Sequence, residues 1–216
     1  LALTSGPAGI AMMSQLSNVS SIVNTLATGS IQNGITKYVA EHGAGTKKRT
    51  QVIQAGVYYV LFGSFICFLF LLFGAGYLSE ILFQNKDYLN LFRLYSIAVF
   101  FIGFNMFFLA ILNGEKDFRL YIRLSIVNSL ISAIISIVLI WLYNISGALY
   151  ALLIGQAFSI FVTIWAIRNK SWFKMFHLFE PLPLPFIRKL GGFALMALIS
   201  AFVVPLGQIF VRSEII

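Results

Sequence analysis

Charge is scarce in this chain. Only 10% of its 216 residues are Asp, Glu, Lys or Arg, against roughly 25% in soluble domains. Acidic residues are the rarer sign, seven against fifteen Lys and Arg. The net charge of +8 could suit nucleic acid, but the basic residues sit between apolar runs and not on one soluble face, so nucleic acid is excluded as a partner. The single cysteine, Cys67, lies inside an apolar run and cannot supply a disulfide framework or a thiolate metal site. His42 and His177 are far apart in polar connections. The sequence has no P-loop, no metal-ligand cluster and no nucleophile with a base and an orienter. It predicts no enzyme, no metal and no cofactor.

What is abundant is apolar: 59% of the residues are hydrophobic and 22 are Phe. A helix needs about 20 mostly apolar residues to cross the hydrocarbon core. Six segments qualify, roughly 10–36, 52–79, 94–113, 124–143, 147–167 and 190–211, and none contains Asp or Glu. An isolated strand in lipid would leave backbone groups unpaired, so helix is the expected state. The predicted fold class is all-α, a polytopic membrane helix bundle with six spans.

The connections carry an orientation. Lys37, Lys47, Lys48 and Arg49 follow the first span, Lys116, Arg119 and Arg123 the third, and Arg168, Lys170, Lys174, Arg188 and Lys189 the fifth. These make twelve basic residues on one side, against Lys86, Arg93 and Arg212 on the other. The richer side is assigned to the cytoplasm, which puts both ends of the chain outside. A protein that starts in the cytoplasm would need one more span before Leu1, so the chain is expected to be a piece of a longer one. After the fifth span, "NKSWFKMFHLF" places Trp172, Met175, Phe176 and Phe179 on one helical face and Lys170, Lys174 and His177 on the other. This reads as an interfacial helix over about 170–179. "EPLPLPF" then predicts an extended strap. The expected organisation is a lobe over 1–180, a Pro-rich linker over 181–189 and the first helix of a second lobe over 190–216.

One stretch breaks the apolar pattern. In "SQLSNVSSIVNTLATGSIQN", residues 14–33, twelve of twenty residues are Ser, Thr, Asn or Gln and none is charged. On a helical wheel Ser14, Asn18, Ser21, Thr25, Thr28 and Gln32 share an arc of about 80°, flanked by Asn24 and Ser17, while Leu16, Val19, Val23, Leu26 and Ala27 lie opposite. An amide facing lipid would lose its hydrogen bonds to water at a cost of several kcal/mol. The polar face therefore meets other helices, where small hydroxyl residues favour close packing, or it lines an aqueous path whose hydroxyls and amides suit sugars. Ser14, Asn18, Ser21, Asn24, Thr25, Thr28 and Gln32 are the expected lining residues of such a path. Gly29 and Gly34 leave room for local bending.

Lys37 sits where this span should meet the cytoplasmic interface, as a snorkelling anchor or a cation facing an anionic head group. Arg212, at the outer end of the last span, carries the same two readings. Asn105, Asn113, Asn128, Gln156 and Gln208 are expected to form interhelical hydrogen bonds, and Pro205 to kink the last span.

Five segments resemble one family in order along nearly the whole chain. "GPAGIAMMSQLSN" at 6–18 with "GSIQNGITKYVAE" at 29–41 looks like the second-helix signature of bacterial O-antigen translocases. "ILNGEKDFRLYI" at 111–122, "GALYALLIGQ" at 147–156 and "FALMALISAFVVPLGQIFVR" at 193–212 are similar to later segments of that family. It is part of the multidrug/oligosaccharidyl-lipid/polysaccharide exporter superfamily. The resemblance implies two six-helix lobes, twelve or more helices in all, around a central cavity in the bacterial inner membrane. It implies movement of an undecaprenyl-diphosphate-linked oligosaccharide from the cytoplasmic to the periplasmic leaflet. Membrane lipids and other glycan-assembly proteins are the further implied partners. A family member carries an arginine in helix two at the position of Ser17, so a cationic diphosphate site is not carried over there; Lys37 and Arg212 do match basic positions. The alternatives are a drug/cation antiporter of the same superfamily, which would need an acidic residue within the membrane, and a membrane scaffold or polymerase subunit of a glycan-assembly complex.

Overall fold

The computed structural model describes residues 2–28, 31–43, 45–174 and 184–196, and among them every regular element is helical. Helix α1 spans Ala2–Ala27, α2 Gln32–Glu41, α3 Lys47–Phe83, α4 Leu89–Gly114, α5 Phe118–Ile167 and α6 Ser171–Lys174. A 3-10 turn at Lys86–Tyr88 leads into α4. A further helix, α7, covers 184–196. Among the described residues three helical stretches, Lys47–Phe83, Lys86–Gly114 and Phe118–Ile167, are long and apolar enough to cross a membrane.

The 50 residues of α5 would measure about 75 Å if straight, more than twice the roughly 30 Å hydrocarbon core. The chain folds back at Asn144, whose φ of 51° and ψ of −125° lie outside the helical region. Asn tolerates positive φ better than most residues. Two glycines let the arms touch: a Cβ on Gly147 would run into the Leu139 carbonyl, and one on Gly155 would strike Ser132. The segments expected at 124–143 and 147–167 are thus the antiparallel arms of one hairpin.

The first expected span, 10–36, is corrected by the structure. It is two helices, with a turn at Thr28 between them, and it is not among the stretches apolar enough to span. Two threonine hydroxyls back-bond at the end of α1. Thr25 Oγ1 donates to the Ser21 carbonyl at 2.8 Å and Thr28 Oγ1 to the Asn24 carbonyl at 2.9 Å. Such back-bonding competes with the backbone ladder and bends helices.

The expected interfacial helix appears as the single turn of α6. Its Trp172 is 7% exposed and packs on Phe108, ring centroids 6.2 Å apart, so it faces the bundle and not a lipid surface. The remainder of 170–179, with Met175, Phe176, His177 and Phe179, falls outside the described residues. The extended strap is corrected from 184 onward, where the chain is already helical; 180–183 and most of the last expected span, including Pro205, Gln208 and Arg212, also fall outside them.

Helix α4 is the centre of the bundle. Its Phe107, Phe108 and Ile111 pack with Ile35 and Val39 of α2 and Val52 and Val57 of α3. Toward its other end, Phe92, Tyr95 and Val99 meet Leu16 and Val23 of α1, Leu71 of α3 and Leu149 and Leu153 of α5. Close approach of α1 to α3 depends on Gly63, where a Cβ would come within 2.6 Å of the Ala27 carbonyl. By contrast Phe62, Phe70, Phe73 and Tyr77 of α3 and Ile126, Leu130, Ile134, Ile137 and Trp141 of α5 are exposed, a surface suited to lipid.

Charges gather where helix ends meet. Arg49 of α3 pairs with Glu115, the residue that follows α4, and Trp172 Nε1 donates to the second Glu115 oxygen at 2.9 Å. Asp117 accepts from the Leu120 N–H at the start of α5 and pairs with Lys170 at 2.6 Å. The hydrogen bond from Lys170 holds the Asp117 carboxyl below the usual carboxylate range. The acidic residues of "ILNGEKDFRLYI" are therefore structural: they lash the α4–α5 connection to α3 and α6.

Arg49 and Glu115 are largely buried, with side chains 9% and 15% exposed, so removing one partner strands the other. Glu115→Ala should destabilise the protein by about 3 kcal/mol. Adding Arg49→Met should restore most of the loss. Thermal unfolding in detergent reads both.

Candidate functional site

The α1–α2 break opens onto a cavity of about 460 Å³. Volumes of roughly 300–1,000 Å³ are typical of small-molecule sites. Ser17, Ser20, Ser21, Asn24, Thr25 and Thr28 supply one wall, Gln32 and Asn33 of α2 continue it, and Met106 of α4 and Gln156 of α5 close it. All ten side chains are uncharged, and only Met106 is apolar.

The positions follow from the sequence of α1. Leu16, Val23 and Ala27 are buried at 0–3% exposure, and packing that flank turns the hydroxyl and amide flank outward. Five of the seven expected lining residues, Ser21, Asn24, Thr25, Thr28 and Gln32, stand on the cavity wall. Ser14 and Asn18 are exposed on α1 beyond it. Ser17, Ser20, Asn33, Met106 and Gln156 complete the wall. Asn33 is off the arc of a continuous wheel; the break at Thr28 resets the helical phase and brings it in beside Gln32.

A chain of hydrogen bonds ties the wall to the core. Asn24 Nδ2 donates to Gln156 Oε1 at 3.2 Å. The Tyr95 hydroxyl, on a fully buried side chain, lies 3.3 Å from Asn24 Oδ1 and 3.1 Å from Ser20 Oγ. A buried tyrosine needs a partner for its O–H, and Ser20 and Asn24 supply it. Gln156 thus makes the interhelical bond expected of it and also faces the cavity. Asn105 makes only such a bond, accepting from Thr163 Oγ1 at 2.6 Å.

Lys37 lies one turn beyond Asn33 on the same face of α2 and is exposed. Its ammonium stands 5.4 Å from the Tyr38 ring and 5.8 Å from that of Phe193 of α7. Lys189 reaches the other partners of this group, 5.8 Å from Tyr38 and 5.5 Å from Phe186. The two cations are therefore gathered on an aromatic cluster between α2 and α7. Arg212 is outside the described residues.

The described helices form an apolar, multi-pass membrane bundle with a neutral polar cavity. The chain belongs to the polysaccharide biosynthesis protein family, whose model matches residues 1–212. It is 28% identical over 213 residues to the lipid III flippase of Escherichia coli K12, covering 99% of this chain and 51% of that protein. The same figures hold for the lipid III flippase of Shigella flexneri. A third relative, from Shigella flexneri and named for O-antigen transport, is 29% identical over 144 residues, 64% of this chain and 34% of its own length. The chain thus spans about half the length of the flippases it matches. No solved structure matches it. These relatives are named as a flippase and a transporter, not as enzymes.

Cysteine labelling of the full-length protein, in a Cys67→Ser background, tests whether the cavity is wet. Cysteines replacing Ser14, Asn18, Ser21 and Thr25 should react with a membrane-impermeant maleimide at least about tenfold faster than cysteines replacing the buried Leu16 and Val23, because modification requires a solvated thiolate. Uniform protection of all four would mean a packed protein interface.

Proposed function

We propose that this chain is the N-terminal lobe, with the start of the second, of a flippase that carries undecaprenyl-diphosphate-linked O-antigen oligosaccharide from the cytoplasmic to the periplasmic leaflet of the bacterial inner membrane. The observation that carries the reading is the neutral, hydroxyl- and amide-lined cavity in an otherwise apolar bundle. Glycans present hydroxyls that exchange hydrogen bonds with such a wall as readily as with water, so a sugar can cross without paying the full desolvation cost. The prenyl tail would remain in lipid beside the exposed aromatic and aliphatic faces. The names of the relatives supply the substrate class.

In this reading five spans of the first lobe are α1 with α2, α3, α4 and the two arms of α5, and the helix that begins at 184 leads into the second lobe. A second lobe would cover the exposed face of Ser14 and Asn18 and complete the cavity. Broken helices beside a cavity are common in carriers whose lobes rock between inward- and outward-open states. Lys37, and Arg212 at the opposite side, would neutralise the diphosphate at the two mouths of the path, and membrane lipids and other glycan-assembly proteins are the remaining partners.

The test is the combined replacement of Asn18, Asn24 and Gln32 by Leu in the full-length protein. Three lost polar contacts at about 1 kcal/mol each should lower surface O-antigen by on the order of 100-fold or more at unchanged protein abundance. Normal surface glycan would remove the lining role.

A further inference from the structure

The seam between α4 and the second arm of α5 holds a groove of about 170 Å³, lined only by apolar side chains. It is separate from the polar cavity: Gln156 lines the cavity, whereas its neighbour Ala157 lines the groove. Small residues keep the floor low. Ala98, 7% exposed, and Ala157 lie between the larger Leu94 and Phe101 of α4 and Phe158 and Phe161 of α5.

The groove leads to a cation. Ile154, Phe158, Phe161, Trp165 and Arg168 recur at steps of three and four residues, so they share one face of the helix. Trp165 is 66% exposed, and the Arg168 guanidinium lies over its ring, 5.3 Å from the centroid. Ile154 and Arg168 are about 21 Å apart along the helix, close to the depth of one leaflet with its head groups, about 20–22 Å. The charge of Arg168 is available. The two carboxylates of the α4–α5 connection are taken, Glu115 by Arg49 and Trp172 and Asp117 by Lys170.

We propose that this face is a binding site for one anionic phospholipid, its phosphate on Arg168 and an acyl chain along the groove. The site is independent of the glycan path and of the flippase reading. Within lipid an acyl chain gains no hydrophobic energy by entering the groove, so the groove contributes shape and dispersion contacts. Selectivity comes from the head group. A zwitterionic lipid brings its own cation beside the phosphate, which opposes the guanidinium; phosphatidylglycerol brings none. An arginine that merely snorkels to the interface selects no head group.

The experiment reconstitutes the full-length protein in nanodiscs of phosphatidylcholine and phosphatidylglycerol in equal amounts with identical acyl chains, and counts the lipid retained on release by native mass spectrometry. The wild type should keep one phosphatidylglycerol with a preference of about tenfold, the size of one charge-assisted hydrogen bond. Arg168→Gln should abolish the preference. Arg123→Gln, the same loss of charge at the same end of the other arm, should leave it intact. Ala98→Leu and Ala157→Leu each raise the floor and should reduce retention of both lipids; if one does not fold, the other decides. Equal retention by the wild type, no retained lipid, or a preference that survives Arg168→Gln would overturn the site. So would an equal loss in Arg123→Gln, which would mean general attraction to a basic surface, or undiminished retention in the alanine variants. In a further arm, undecaprenyl phosphate that displaces phosphatidylglycerol from the wild type would assign the groove to a prenyl lipid and overturn the phospholipid.

Discussion

A polar group in hydrocarbon must find a partner or a route to water, and this constraint organises the molecule. Most of the chain satisfies it by having no polar side chains to place. Helix α1 cannot, because its hydroxyls and amides recur along one flank for several turns. The bundle answers by burying Leu16, Val23 and Ala27 against α3 and α4 and leaving the other flank to a cavity. Partners within the protein are then spent where a group lies too deep for the cavity: Ser20 on Tyr95, Thr28 on the Asn24 carbonyl.

The break between α1 and α2 lies at the end of the same hydroxyl-rich flank. Thr25 and Thr28 each donate to a carbonyl of the preceding turn where the helix ends. Gly63 then matters beyond packing. It lets α3 lie against the Leu26 and Ala27 carbonyls at the end of α1, with a built Cβ only 2.6–2.7 Å from both. A side chain at 63 would push α1 away and open the polar flank toward the core. The site thus needs one absent side chain as much as its ten present ones.

Much of this was legible in the sequence. Hydrophobic runs of helical length gave α3, α4 and both arms of α5, because length and apolarity alone decide those elements. The buried and cavity flanks of α1 could be read from the wheel as far as Thr28. Beyond it the wheel still placed Gln32 but missed Asn33, because a periodicity argument assumes an unbroken helix and the break shifts the phase. Tyr95 was also missed, since its role lies in a contact 71 residues away from Asn24 that no local pattern carries. Trp172 was read as an interfacial residue on amphipathicity, a signal that cannot distinguish a lipid surface from the flank of another helix. Its N–H found Glu115 and its ring found Phe108, and both partners lie more than fifty residues away.

Neutral and ionised polarity occupy different places in this fold, and the separation has a mechanical reason. The Arg49–Glu115 and Lys170–Asp117 pairs sit at helix ends, where they fix the α4–α5 connection to α3 and α6. The Arg49–Glu115 pair holds geometry most firmly, because removing one partner strands a largely buried charge. A cavity that must release what it binds cannot use attractions of that strength along its whole wall. Hydroxyls and amides each contribute about 1 kcal/mol net; under the proposed flippase reading that is enough in combination to admit a glycan and little enough singly to let it move on. Cations at Lys37 and Lys189 stand at the edge of this neutral zone, resting on aromatic faces. An anionic group can be attracted there without an ionic trap deeper in the path.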